Sequence, residues 1–286
     1  MDFCDNNRVL LSPGAMPGYL SRRITAGQIS SSRIQMISFD KVSKQYNKEL
    51  FQKVAPALVD LSFTLAGGKT LGLIGANGAG KSTSIRLLMD FIRPDSGRIT
   101  LFDRPAGDLA SRHRIGYLPE TASFPANLHI MDMIRFTAAT CGMTAAARKE
   151  RGENLLRALN LWDARKKPLR NYSKGMQQRA NFVLALLNDP QLLILDEPMS
   201  GLDPLGRNQI ITLIQSLQEQ GKTILFCSHI LSDVDRLVDE LLVLHQGHCL
   251  FHGQPADFLK TEGQDNVEAA YLSLIAKESA KASHAV

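Results

Sequence analysis

Three short stretches hold residue types suited to phosphate chemistry. The first, "GANGAGKST" at residues 75–83, fits G-x-x-x-x-G-K-[ST], follows the apolar run "TLGLI" and opens a helical pattern. Gly75, Gly78 and Gly80 let backbone N–H groups turn inward around an anion. Ala76, Asn77 and Ala79 complete the loop, and the helix start adds partial positive charge. In such a loop Lys81 reaches the β and γ phosphates, the Ser82 hydroxyl meets Mg²⁺, and Thr83 meets a neighbouring phosphate oxygen. The second stretch, "LLILDEP", places Asp196 and Glu197 at the C-terminal end of an apolar strand, where ligands sit in open parallel sheets. Two carboxylates at the edge of an apolar run are costly unless a cation meets them. Asp196 is therefore expected to hold Mg²⁺, directly or through water. Glu197, pointing to the other face, is placed as a base for an attacking water. In the third stretch, "KTILFCSH", His229 lies just past a further apolar strand. A lone histidine is more often structural, but this position also lies within reach of a γ-phosphate and its water.

These residues need strands that end at one sheet edge. The chain alternates accordingly. "QMISFDKVS", "ALVDLSFTL", "TLGLIG", "GRITLF", "HRIGYL", "QLLILDEP" and "KTILFCSH" read as strands. "KSTSIRLLMDFI", "QRANFVLALLN" and "NQIITLIQSLQEQG" read as helices, the last stopped by Gly221. Strands separated by helices imply an α/β fold with a mainly parallel, covered sheet. Residues 122–170 break the rhythm with amphipathic helices such as "MDMIRFTAATCGM" and "ERGENLLRALNLW", as an inserted helical subdomain does. Residues 1–33, rich in Ser, Gly, Pro and Arg, read as a flexible N-terminal extension.

Bulk properties restrict the function. The excess of 33 Lys and Arg over 28 Asp and Glu gives a net charge of +5, which suits phosphate ligands or an anionic membrane surface. No apolar run is long enough to span a bilayer. Cys4, Cys141, Cys227 and Cys249 are scattered without a CxxC pair, pointing to a reducing, cytoplasmic compartment and no zinc site.

The order of phosphate loop, "GYLPE", "YSKGMQQR", "LLILDEP", "SGLD" and "CSH" resembles the nucleotide-binding subunit of ATP-binding-cassette (ABC) transporters. The resemblance is nearest to the branch serving exporters with separate membrane subunits, including multidrug-type and copper-processing systems. It covers residues 34–260, and the tail at 261–286, with "NVEAAYLSLI", resembles the helical end of that branch. It implies a P-loop NTPase core with an antiparallel β subdomain and the helical insert. The cofactors implied are ATP and Mg²⁺, and the activity is ATP hydrolysis. By resemblance Tyr46 stacks on adenine, and Ser173 and Gly175 are the signature Ser and Gly. Asp203 crosses to a partner copy, and His229 is the switch histidine. Glu120 stands where the family usually has glutamine, keeping oxygen donors for Mg²⁺ while adding charge near the phosphates. Lys174 and Met176 depart from the commonest signature.

The partners implied are an integral-membrane permease and a second copy of the chain in an ATP-bound dimer. No nucleic acid is expected, and the place implied is the inner face of the cell membrane. The helical insert would dock the permease, through residues such as Phe124 and Leu128; both serve equally as insert core. A soluble ABC ATPase acting on ribosome or DNA is the alternative. Such chains usually carry two cassettes or a long coiled-coil insert, and neither is found here. A kinase or GTPase leaves "YSKGMQQR" unexplained, and N-K-x-D is absent.

Overall fold

In the computed structural model, described over residues 35–46, 56–121 and 123–284, two sheets carry the strands. The extension expected over residues 1–33 lies outside the described residues. β1 (Gln35–Lys44), β2 (Leu58–Ala66), β4 (Ser96–Leu101) and the short β5 (Arg104–Pro105) form an antiparallel sheet in the order β2-β1-β4-β5. In β2, Leu58, Leu61, Phe63 and Leu65 are buried while Asp60, Ser62 and Thr64 are exposed. That alternation is what a sheet with one wet face requires.

The second sheet has the order β10-β9-β3-β8-β7-β6. It comprises β3 (Thr70–Ile74), β6 (Ile115–Leu118), β7 (Leu192–Asp196), β8 (Thr223–Cys227), β9 (Glu240–His245) and β10 (His248–Gly253). All neighbours are parallel except β10, which returns antiparallel to β9 after the turn at Gln246 and Gly247. β3, β7 and β8 are buried along their whole length, so their continuous apolar runs fit covered parallel strands. The registers Leu118↔Leu195, Asp196↔Cys227 and Leu73↔Cys227 bring the C-terminal ends of four strands to one edge.

Helices cover this sheet. α1 (Lys81–Leu88) follows β3, and the single-turn α2 (Leu109–Arg112) precedes β6. Between β6 and β7 come α3 (Ile130–Thr140), α4 (Ala145–Ala158), a 3-10 turn (Leu169–Asn171) and α5 (Lys174–Leu186). Ile130 and Ile134 of α3, Leu156 of α4, and Leu169 share a core with Ala180 and Val183 of α5. α6 (Pro204–Glu219), α7 (Leu231–Leu237), α8 (Pro255–Glu262) and α9 (Val267–His284) complete the chain. α9 is anchored by the fully buried Val267 and Ala270 and by a 2.7 Å ion pair from Lys277 to Glu262 of α8. Among the described residues no helix is long and apolar enough to cross a membrane. The thiols of Cys141, Cys227 and Cys249 are free.

β6 passes α5 so closely that a Cβ on Gly116 would strike the carbonyl oxygen of Ala185. Gly116→Ala is expected to cost about 1–3 kcal/mol through overpacking. The check is urea unfolding, with a lower midpoint at an unchanged slope; an unchanged midpoint contradicts the packing.

Candidate active site

β3 ends at Ile74, and the next six residues turn the chain into α1. Gly80 sits at the turn's last position with φ 110°, and a Cβ there would meet the Ala57 carbonyl oxygen and the Leu58 side chain at 2.7 Å. Only glycine satisfies both demands. The buried Lys81 folds back over the loop. Its Nζ donates to the carbonyl oxygens of Gly75 (2.6 Å) and Ala76 (3.1 Å). Ala76, Asn77 and Gly78 are exposed, Ala79 is buried, and Ser82 is exposed at the first turn of α1. The Tyr46 hydroxyl lies 3.4 Å from Thr83 Oγ1, and the residue is 36% exposed. Its hydroxyl therefore stands beside the loop.

Asp196 ends β7, and Glu197 follows it; both are buried. Burial pushes the Asp196 carboxyl up to about 6, against a hydrogen bond from the Cys227 thiol that lowers it. The charges of Glu120 and Glu197 push it further up, and the Lys81 ammonium pulls it down. Four charged groups are thus close enough to feel one another. Glu120, just past β6, is the exposed member. Burial, then the Asp196 charge, pushes the Cys227 thiol far above its usual range, so it stays a neutral donor. Glu197 holds φ 48°, a left-handed conformation uncommon for a residue with a side chain. Its N–H donates to the Cys227 carbonyl at 3.0 Å. Its Oε2 lies 2.7 Å from Nδ1 of His229, whose side chain is 60% exposed.

The buried Gln178 of α5 adds a support not apparent from its place in a polar run. Its Nε2 donates to the carbonyl oxygen of Pro198 at 2.9 Å, with the Glu197 carbonyl at 3.5 Å. The Glu197 turn is therefore fixed by β8 through Cys227 and by α5 through Gln178.

Ser173, Gly175 and Asp203 form a separate group. Ser173 caps α5, its hydroxyl accepting the Met176 N–H at 3.3 Å. Asp203 caps α6, accepting the Gly206 N–H at 2.9 Å. Gly175 packs beside Leu202, and the Lys174 stem lies over Gly201. Among the described residues, no hydrogen bond joins residues 173–176 to residues 75–83. Lys174 is exposed and its stem covers its own chain's turn.

A Mg²⁺ ion bound with a nucleotide uses one or two carboxylates, with phosphate and water completing the shell. Ser82, Asp196 and Glu120 offer such hard oxygen donors. Among the described residues no three His, Cys, Asp or Glu side chains converge into a self-contained metal cage. Burial chiefly, and then the charges of Glu120 and Glu197, raise the Asp196 pKa, and a cation offsets that cost. The residues present therefore fit a metal that arrives with phosphates.

A family profile described as ABC transporter matches residues 58–200, from β2 through the Glu197 turn. The chain is 38% identical over 275 residues to an ABC transporter ATP-binding protein of Synechocystis sp., an alignment covering 91% of this chain and 77% of the relative. It is 34% identical over 236 residues to the Nod factor export ATP-binding protein I of Cupriavidus pinatubonensis, covering 82% of this chain and 71% of that one. A solved structure of an ATP binding subunit of an ABC transporter superimposes with a TM-score of 0.77 at 29% identity, covering 84% of this chain and 99% of the other. The chain therefore belongs to the ABC transporter family, as an ATP-binding and ATP-hydrolysing subunit.

Proposed function

We propose that the chain powers a separate membrane permease, as an exporter subunit that holds two ATP molecules between two head-to-tail copies. One observation carries this reading. The phosphate loop lies with Tyr46, Glu120, Asp196 and the Glu197–His229 pair, while Ser173 and Asp203 are exposed and, with the half-buried Gly175, make no hydrogen bond to that loop among the described residues. A second copy supplies what the first site lacks. The start of α5 offers a γ-phosphate the Ser173 hydroxyl and helix N–H groups.

Within each site Tyr46 stacks on the base. The N–H groups of residues 75–80 and the Lys81 ammonium take the phosphates. Ser82, Asp196 and Glu120 hold Mg²⁺, which when bound offsets charge on the β and γ phosphates. Glu197 takes the proton of the attacking water, and His229 orients the Glu197 carboxylate from Nδ1 at 2.7 Å while facing the γ-phosphate. Asp203 reaches the partner copy.

Export is favoured by the similarity to the Nod factor export ATP-binding protein. The permease would meet the helices within residues 122–170 of an ATPase domain at 34–260, with 261–286 as a helical tail, and would hold the chain on the cytoplasmic face of the membrane. Leu128 and Phe136, 38% and 66% exposed, are available there. Phe124 instead packs against the core and serves the insert itself.

Glu197→Gln is expected to bind ATP without hydrolysing it and to elute as a dimer with ATP and Mg²⁺ on gel filtration. Elution only as a monomer counts against the shared site. Glu120→Gln removes one charge from the cluster beside Asp196. It is expected to change the Mg²⁺ concentration giving half-maximal turnover; an unchanged Mg²⁺ titration and turnover remove Glu120 from the metal site.

A further inference from the structure

Asp233 is 1% exposed, and none of the roles above uses it. It lies in the first turn of α7, one helical turn after His229. Arg207 lies in the first turn of α6, one helical turn after Asp203. Arg207 Nε donates to both Asp233 oxygens at 3.0 and 3.1 Å, and Nη2 donates to Oδ1 at 2.6 Å. Nη2 also donates to Ser232 Oγ at 3.3 Å. α7 has no side-chain cap of its own, and this fork joins core packing by Leu231 and Val234 in holding its first turn.

Only the Asp233 end of the pair is buried, the Arg207 side chain being 32% exposed, and desolvating a carboxylate offsets much of the attraction it gains. The pair's strength is geometric, since a guanidinium fork bonding a carboxylate through several N–H groups fixes both backbones in one arrangement. Here the two backbones are the ones that carry Asp203 and His229. From His229 the path continues through the 2.7 Å contact with Glu197.

We propose that the Arg207–Asp233 pair is a positioning clamp for hydrolysis. It locks the start of α6, and with it Asp203, to the start of α7, and with it His229, so that seating the partner copy sets the Glu197–His229 contact. The clamp rests on the shared-site reading above. It adds that each copy senses its partner through an ion pair, buried at Asp233 and half-buried at Arg207, that touches no nucleotide.

The test is a double-mutant cycle on ATP turnover by the full chain, with Arg207→Met and His229→Ala singly and together. Arg207→Met is expected to lower kcat about ten-fold with KM changed less than about two-fold, because a group acting through geometry is lost rather than a ground-state contact. In the His229→Ala background the same substitution is expected to cost less than about two-fold, since residues acting as one unit are not additive. Equal losses in both backgrounds, or a change in KM alone, overturn the clamp. Asp233→Asn, which keeps the shape and one acceptor, replaces Arg207→Met in the cycle if that variant does not fold. A smaller loss in the His229→Ala background again supports the clamp, and equal losses again overturn it. The Glu197→Gln chain is sized with ATP alongside. Absence of its dimer overturns the underlying reading, whereas a dimer with equal losses overturns the clamp alone.

Discussion

The parallel register of four strands is the constraint on which the site depends. β3, β6, β7 and β8 end level with one another, through pairs such as Leu118↔Leu195 and Asp196↔Cys227. Parallel pairing is possible only because each crossover covers a sheet face with a helix. The apolar runs therefore stop together, and each gives way to a residue of the candidate site: Gly75 beyond β3, Glu120 beyond β6, Glu197 beyond β7, His229 beyond β8. A slip of one residue in β7 would reverse which face each of its side chains meets. It would turn Asp196 away from Lys81 and Glu120.

That edge stores unfavourable charge. Burial raises the Asp196 pKa, and two neighbouring carboxylates raise it further. Lys81 offsets part of this, and a divalent cation arriving with phosphate offsets more. The left-handed backbone at Glu197 is a second local cost. It is met by surroundings that hold the turn from two sides, through Cys227 and Gln178. Gln178 has a further consequence. The same α5 that would present Ser173 to a partner's nucleotide also fixes the Glu197 turn, so in the proposed dimer the two ATP sites would share a rigid element.

How much was legible in the sequence depended on the range of each interaction. The phosphate loop is local, because glycine torsions, a lysine and a helix start are all within residues 75–83, and the segment does join β3 to α1. The buried strands β3, β7 and β8 were legible because a fully covered strand must be apolar throughout. β10 is an edge strand with no clean alternation, and α2 and α7 are too short to show a helical period. Gln178 and Arg207 were not legible, because their partners lie far along the chain and a polar type alone does not say what it meets. For Tyr46 only the family resemblance points to the site, and its hydroxyl lies beside the loop through Thr83.

In the proposed dimer each ATP is held by the phosphate loop of one copy and the helix start at Ser173 of another. Complementation is the decisive experiment. Lys81→Ala and Ser173→Arg chains are prepared separately, then mixed in equal amounts, and ATP turnover is measured before and after mixing. In the shared arrangement each pure variant has two defective sites, while every mixed dimer has one intact site. Mixing should then restore up to about a quarter of wild-type turnover, since half the dimers are mixed and half their sites are whole. No recovery on mixing, with mixed dimers shown to form, would contradict the shared site.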